Sequence, residues 1–130
     1  MTERMRAFTG SPWEEIAGFA RGTRVGDRVI VGGTVAVHPD GTTFAPNDAG
    51  AQAARCWEII EEALKQLGVS RGAVLHSRAF LVDMSQADGV IAAHKAFFGD
   101  LKPCFTLLGC PALVREDLMI EIEVEAHAGG

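Results

Sequence analysis

A chain of 130 residues, 48% hydrophobic and 22% charged, has the balance of a folded globular protein, and its length suits one domain spanning residues 1–130. A domain of this size buries about two-thirds of the surface its unfolded chain exposes, so it needs no disulfide or metal to fold. Twelve Lys and Arg against seventeen Asp and Glu leave a net charge of −5, which speaks against a DNA or RNA binder, whose affinity rests on cations displacing counterions from phosphates.

In chain order, Met5–Phe8 is a candidate short first strand. Ile16–Arg24 leads through the turn signal Val25-Gly26-Asp27-Arg28 into Val29–Val37, so the strands on either side of Gly26-Asp27 are expected as an antiparallel hairpin. Gly32-Gly33 interrupts the second of them. Glycine inside a strand marks either a bulge or a place where another group approaches the backbone. His38-Pro39-Asp40-Gly41 is a loop. Asn47-Asp48 then starts a helix whose apolar residues, Ala53, Cys56, Trp57, Ile60, Ala63, Leu64 and Leu67, recur at steps of three and four and so share one face. Gly68 ends it.

Val74–Val82 is the next strand. Ser85-Gln86-Ala87-Asp88 has the form of a capping box with Asp in the last position, opening a second helix with Val90, Ile91, His94, Phe97 and Phe98 as its stripe and Gly99 as its end. Phe105–Leu108 and Leu118–Ala126 complete the strands. Single helices between strands imply an α+β fold, with both helices on one face of the sheet. Apolar residues on the opposite face then call for another subunit.

Three cysteines, Cys56, Cys104 and Cys110, form no C-x-x-C pair and read as free thiols of a reducing compartment. The first residues lack the apolar core of a signal peptide, and no stretch has the roughly 18 apolar residues of a membrane helix. A cytoplasmic protein without membrane contact is the expectation. The four histidines show no H-E-x-x-H or similar spacing, and no Walker A or G-x-G-x-x-G pattern is present, so no metal or cofactor is expected. In the last strand Ile120, Ile122 and Val124 alternate with Glu121, Glu123 and Glu125. These carboxylates are either a solvated face paired with Arg and Lys, or include one cleft carboxylate with a raised pKa acting on water.

Ser11-Pro12-Trp13-Glu14, Val29-Ile30-Val31-Gly32-Gly33-Thr34, Ala79-Phe80-Leu81-Val82-Asp83-Met84, Ala96-Phe97-Phe98-Gly99-Asp100, Lys102-Pro103 and Ile120-Glu121-Ile122-Glu123, in that order and spacing, resemble the RidA/YjgF (endoribonuclease L-PSP-like) family. The resemblance implies a chorismate mutase-like fold with a six-stranded mixed sheet, and a homotrimer with clefts between subunits. It also implies hydrolysis of reactive enamines and imines to 2-oxo acids and ammonia. In that family an Arg two residues after a Pro clamps the substrate carboxylate, and a Glu opening the Ile-Glu-Ile-Glu run positions water. Glu121 and Gly33 match the family pattern. Phe105 stands at the Arg position, Phe19 at a family Tyr and Ile91 at a family Asn, which makes this chain resemble an Arg-lacking branch. Arg21 or Arg24 would then supply a relocated cation, or else serve as surface charge paired with the last strand. Three functions follow: a hydrolase or deaminase in which Glu121 orients water beside Gly33 and Thr34; a trimer that binds a small metabolite in clefts made apolar by Phe19, Ile91 and Phe105; and, least in keeping with the charge, a ribonuclease.

Overall fold

Six strands form one sheet: β1 (Arg4–Ala7), β2 (Gly22–Val25), β3 (Arg28–Val35), β4 (Val74–Leu81), β5 (Cys104–Gly109) and β6 (Ile120–His127), in the spatial order β1-β2-β3-β6-β4-β5. Only β4 and β5 run parallel; every other neighbouring pair is antiparallel. Among the described residues three α-helices accompany them: α1 (Pro12–Ala17), α2 (Ala49–Gln66) and α3 (Ala87–Phe98). This computed structural model describes residues 3–129; Met1, Thr2 and Gly130, which the single-domain reading includes, lie outside the described residues.

The long helix α2 forms where the periodicity places it. Asp48 caps it by accepting from the Ala51 N–H at 3.1 Å, and all seven residues of its apolar stripe are buried. They meet Val29 and Val31 of β3 and Ile120, Ile122 and Val124 of β6 in the core. Each such aliphatic side chain contributes roughly 1.5–3 kcal/mol when fully buried. Helix α3 packs along α2 at a glycine contact: a Cβ built on Gly89 would stand 3.1 Å from the Gly50 Cα.

Three expectations need correction. Ile16–Arg24 is not one strand. Ser11 and Pro12 start α1, the Ser11 Oγ accepting from the Trp13 N–H at 3.3 Å, and Gly18 ends it at φ 74° in the left-handed region where glycine is favoured. Phe19 and Arg21 therefore sit in the link before β2. Ser85 is no helix cap either: it donates to the Asp83 carboxylate at 2.7 Å within a 3₁₀ turn, Met84–Gln86, that precedes α3. Ile91, placed in the inward stripe of α3, is 47% exposed, because α3 buries only Val90 and Phe98.

Beyond Val31 the β3–β6 register slips by one residue, since Val31 faces Val124 while Thr34 faces Ile122. Gly32-Gly33 is thus a β-bulge. On the sheet face turned away from the core, Arg78 reaches Glu123 at 3.5 Å and Glu125 at 3.3 Å, with half-buried Ile30 and Phe80 nearby in the pairing register. This face is mixed in character, not uniformly apolar.

Candidate functional site

The bulge positions the site. Strand β2 pairs with β3 only from Arg28 to Val31, so past that point the outer edge of β3 has no strand beside it. The chain just before β2 turns along this edge instead: the Gly32 N–H donates to the Arg21 carbonyl at 2.9 Å, and the Arg21 N–H donates to the Ala7 carbonyl at 2.8 Å. Here a cavity of about 610 Å³ opens between α1, the flank of α2 and the Val114–Leu118 loop. Gln52 of α2 fastens that loop, donating to the Asp117 carbonyl at 2.8 Å and accepting from the Met119 N–H at 2.8 Å.

Arg21 lines the cavity. Its Nε is buried without a partner, and among the described residues its guanidinium makes no hydrogen bond and no ion pair within 4.0 Å. It rests over the Phe19 ring, 5.2 Å from the centroid, a cation–π distance. Burial lowers its pKa from the ordinary arginine value, and the nearby Glu14 and Glu121 carboxylates oppose that shift. Glu14, 8% exposed, is fully engaged elsewhere: its carboxylate accepts from the Thr9 N–H, the Thr9 hydroxyl and the Gly10 N–H at 2.9–3.0 Å. The buried, unpartnered Nε is the costly part, because buried polar groups in native proteins almost always find partners.

Glu121 enters the same cavity from β6, its carboxylate lying over Gly33. No described residue donates a hydrogen bond to it. Burial raises its pKa above the usual carboxylate value; Arg21 pulls the other way, and Glu123 adds a smaller push upward. A half-buried carboxyl with a raised pKa beside an arginine can take and return a proton. The other two glutamates of β6 are tied to Arg78 and lie outside the cavity, so the three carboxylates divide into one free and two paired.

Phe19, Arg21, Gly33 and Glu121 are thus brought together, while the remaining residues singled out in the sequence lie elsewhere in the chain. Thr34 is fully buried: the bulge turns it into the core, where its hydroxyl donates to the Gly32 carbonyl at 2.8 Å and its carbonyl meets the Cys56 thiol at 3.3 Å. Arg24 closes the end of α2, donating to the Leu67 carbonyl at 2.9 Å and to the Gly26 carbonyl at 2.8 Å. Phe105 stacks on His94 of α3 at 4.0 Å between centroids, and neither it nor Ile91 lines the cavity of its own chain. Trp13, read in the sequence only as part of the family motif, and Arg55 and Arg115, which were not proposed for the site, also line it. The Ser11-Pro12 helix start could have revealed Trp13; no local pattern marks the two arginines.

No helix of the described residues is long and apolar enough to cross a membrane. The model of the family described as Endoribonuclease L-PSP matches residues 9–128, and the chain belongs to this family. It is 36% identical over 124 residues to an uncharacterised protein of Streptomyces coelicolor, covering 95% of this chain and 92% of that one. It is 26% identical over 113 residues to the 2-iminobutanoate/2-iminopropanoate deaminase of Escherichia coli K12, covering 87% and 88% of the two chains. Its fold superposes on the crystal structure of Rv2704 from Mycobacterium tuberculosis, a member of the YjgF/YER057c/UK114 family, with a TM-score of 0.86 at 30% identity, covering 96% and 99% of the chains. The six-stranded mixed sheet with its two long helices is therefore the fold of this family.

Proposed function

We propose that the protein hydrolyses an enamine- or imine-type metabolite to a carbonyl compound and ammonia, in clefts of a homotrimer of single-domain, chorismate mutase-like subunits in the cytoplasm. The observation that carries this reading is that Arg21 and Glu121 line one cavity, neither with a hydrogen-bonding partner on its charged group among the described residues. Similarity to a protein named for deaminating 2-imino acids supports the reaction class. Glu121 takes a proton from water as the oxygen adds to the imine carbon. Protonated Glu121 passes that proton to the nitrogen, which becomes an amine on a tetrahedral carbon. The hydroxyl proton then moves by way of the Glu121 carboxylate to the amine, the C–N bond breaks as the carbon–oxygen double bond forms, and ammonia leaves with both protons of the water. The water activated here is the only co-reactant.

Phe105 occupies the place of the carboxylate-clamping Arg, as in an Arg-lacking branch of the family. In a trimer, Phe105 and Ile91 of a neighbouring copy would close the open side of the cavity and make it more apolar. That substitution also favours a second reading, in which the cleft holds a metabolite without turning it over. Ammonia release from 2-imino acids generated in situ by an amino-acid oxidase separates the two. Hydrolysis predicts turnover that Glu121→Gln reduces at least tenfold, and no turnover above the uncatalysed rate leaves the binding reading. Light scattering that gives the mass of one chain at micromolar concentration removes the shared cleft from both.

A further inference from the structure

The cavity beside β3 is larger than a three- or four-carbon acid requires. Its 610 Å³ falls within the roughly 300–1,000 Å³ of pockets that enclose drug-sized ligands. Trp13, Ile59, Val35, Val37 and Val114 supply apolar wall, and in the single chain Trp13 and Val114 are 42% and 72% exposed.

The charged groups around it narrow the choice of head group. Of the three arginines that border the cavity, Arg55 donates to the Val37 carbonyl at 2.9 Å and pairs with Glu58 at 3.2 Å. Arg115 donates to the Thr43 hydroxyl at 3.1 Å and lies over the Trp13 ring at 5.8 Å. Only Arg21 is uncommitted. Four carboxylates, Glu14, Glu58, Glu62 and Glu121, also border the space. One free guanidinium among four acids cannot balance a phosphate dianion. It does suit a single planar carboxylate, which the guanidinium fork holds through two parallel hydrogen bonds.

We infer that this cavity is built for a monocarboxylate with a bulky apolar arm, the carboxylate on the Arg21 guanidinium and the arm against Trp13, Ile59 and Val37. The inference rests on the reading of this cavity as the ligand site but not on turnover there. It assigns the anion-holding role to Arg21 and not to Arg24, which donates to the Leu67 carbonyl at the end of α2 and to the Gly26 carbonyl in the turn after β2. It also implies that the side chain of the ligand, more than its head group, sets specificity. An apolar contact of one methylene is worth about 10-fold or more in such a pocket, and an aromatic arm offers several.

Calorimetry on the purified protein with 3-phenylpropanoate, propanoate, 3-phenylpropanamide and inorganic phosphate tests this without any substrate turnover. 3-Phenylpropanoate is expected to bind at least tenfold more tightly than the other three. Arg21→Lys should cut the preference of acid over amide at least threefold, and Trp13→Ala should bring 3-phenylpropanoate to within threefold of propanoate. Equal binding of acid and amide by the unaltered protein overturns the role of Arg21, and equal binding of the two acids overturns the apolar arm. Tighter binding of phosphate overturns the choice of head group. These wild-type comparisons stand even if a variant fails to fold. An intact binding series without ammonia release supports the inference while removing the hydrolytic reading. Ammonia release with a flat series overturns the inference alone.

Discussion

The Glu121 carboxylate lies so close over Gly33 that a Cβ placed on that glycine would stand 2.6 Å from Oε2. The two residues belong to adjacent strands, and only the missing side chain lets the carboxylate reach the cavity wall. Gly33 lacks the positive φ that alanine would resist, and the colliding atoms are the end of a flexible side chain. Gly33→Ala should therefore change stability by less than about 1 kcal/mol. Displacing the carboxylate by an ångström should cost turnover about a hundredfold. A thermal melt beside an ammonia-release assay checks both halves, and unchanged turnover would separate Glu121 from the chemistry.

Glu121 also leaves a trace in stability. Burial raises its folded-state pKa, with Arg21 partly offsetting the shift. The folded state thus holds its proton to higher pH than the unfolded chain, whose glutamates titrate near about 4.3. The stability that goes with this carboxyl is present below that pH and is lost as pH rises through the folded-state value. Glu121→Gln should melt slightly higher than the parent at pH 8, and the difference should close by pH 4. A variant that melts lower at pH 8 would show the charge to be a structural partner of Arg21.

His94 works in the opposite sense. It sits between Phe105 and Trp57, bonded to the Ser77 hydroxyl at 2.9 Å, and burial lowers its pKa. The unfolded chain gains a proton near pH 6.5 while the folded one resists it, so stability falls as pH drops from about 6.5 through the lower folded-state value. Melting temperature should decline between pH 7 and pH 5. His94→Gln, which keeps a hydrogen-bonding group near Ser77, should show a shallower decline, although it melts lower at pH 7 for loss of the aromatic stack.

The thiols should react in a fixed order. Cys104 is exposed, Cys110 is partly covered, and Cys56 is fully buried with its pKa driven far up by that burial. A maleimide titration followed by mass spectrometry should label Cys104 first and Cys110 second, with Cys56 modified only after denaturation. Early labelling of Cys56 would mean that α2 lifts from the sheet in the native state.

Much of the fold was legible because long elements declare their period. The stripe from Ala53 to Leu67 spans four turns, and the alternation from Ile120 to Glu125 leaves no choice of face. Gly32-Gly33 signalled either a bulge or a close approach to the backbone, because glycine weakens a strand unless the backbone needs it, and the sequence did not decide between them. Thr34 was assigned to the site because the sequence does not show the bulge's direction: one extra residue turns every following side chain over. The six residues of α1 are too few to show a helical period, and its Ser11 cap and Pro-Gly ends were not enough to distinguish it from the strand expected over Ile16–Arg24. Ile91 looked inward because α3 has an apolar spacing, yet the Gly50–Gly89 contact seats it on α2 by one narrow edge. Nothing local joins Arg21 to Glu121. Their meeting depends on the strand order, which brings β6 next to β3 and the start of β2 beside the bulge.

The recess exists because a strand stops early, not because a core has been hollowed. Backbone groups that this leaves on β3 and just past its end are taken up nonetheless: Arg21 accepts from Gly32, Phe44 donates to the Ala36 carbonyl at 2.9 Å, and Arg55 covers the Val37 carbonyl. No buried packing is sacrificed, so the penalty that accompanies an interior void does not arise. With the ligand inferred above, folding rests on the α2 stripe and selectivity on other residues, those of a six-residue helix and a surface loop. Exchanging Trp13 or Val114 for larger or smaller side chains should re-cut the shape of the recess while the melting temperature scarcely moves. A lineage could in this way try many ligands on one unchanging scaffold.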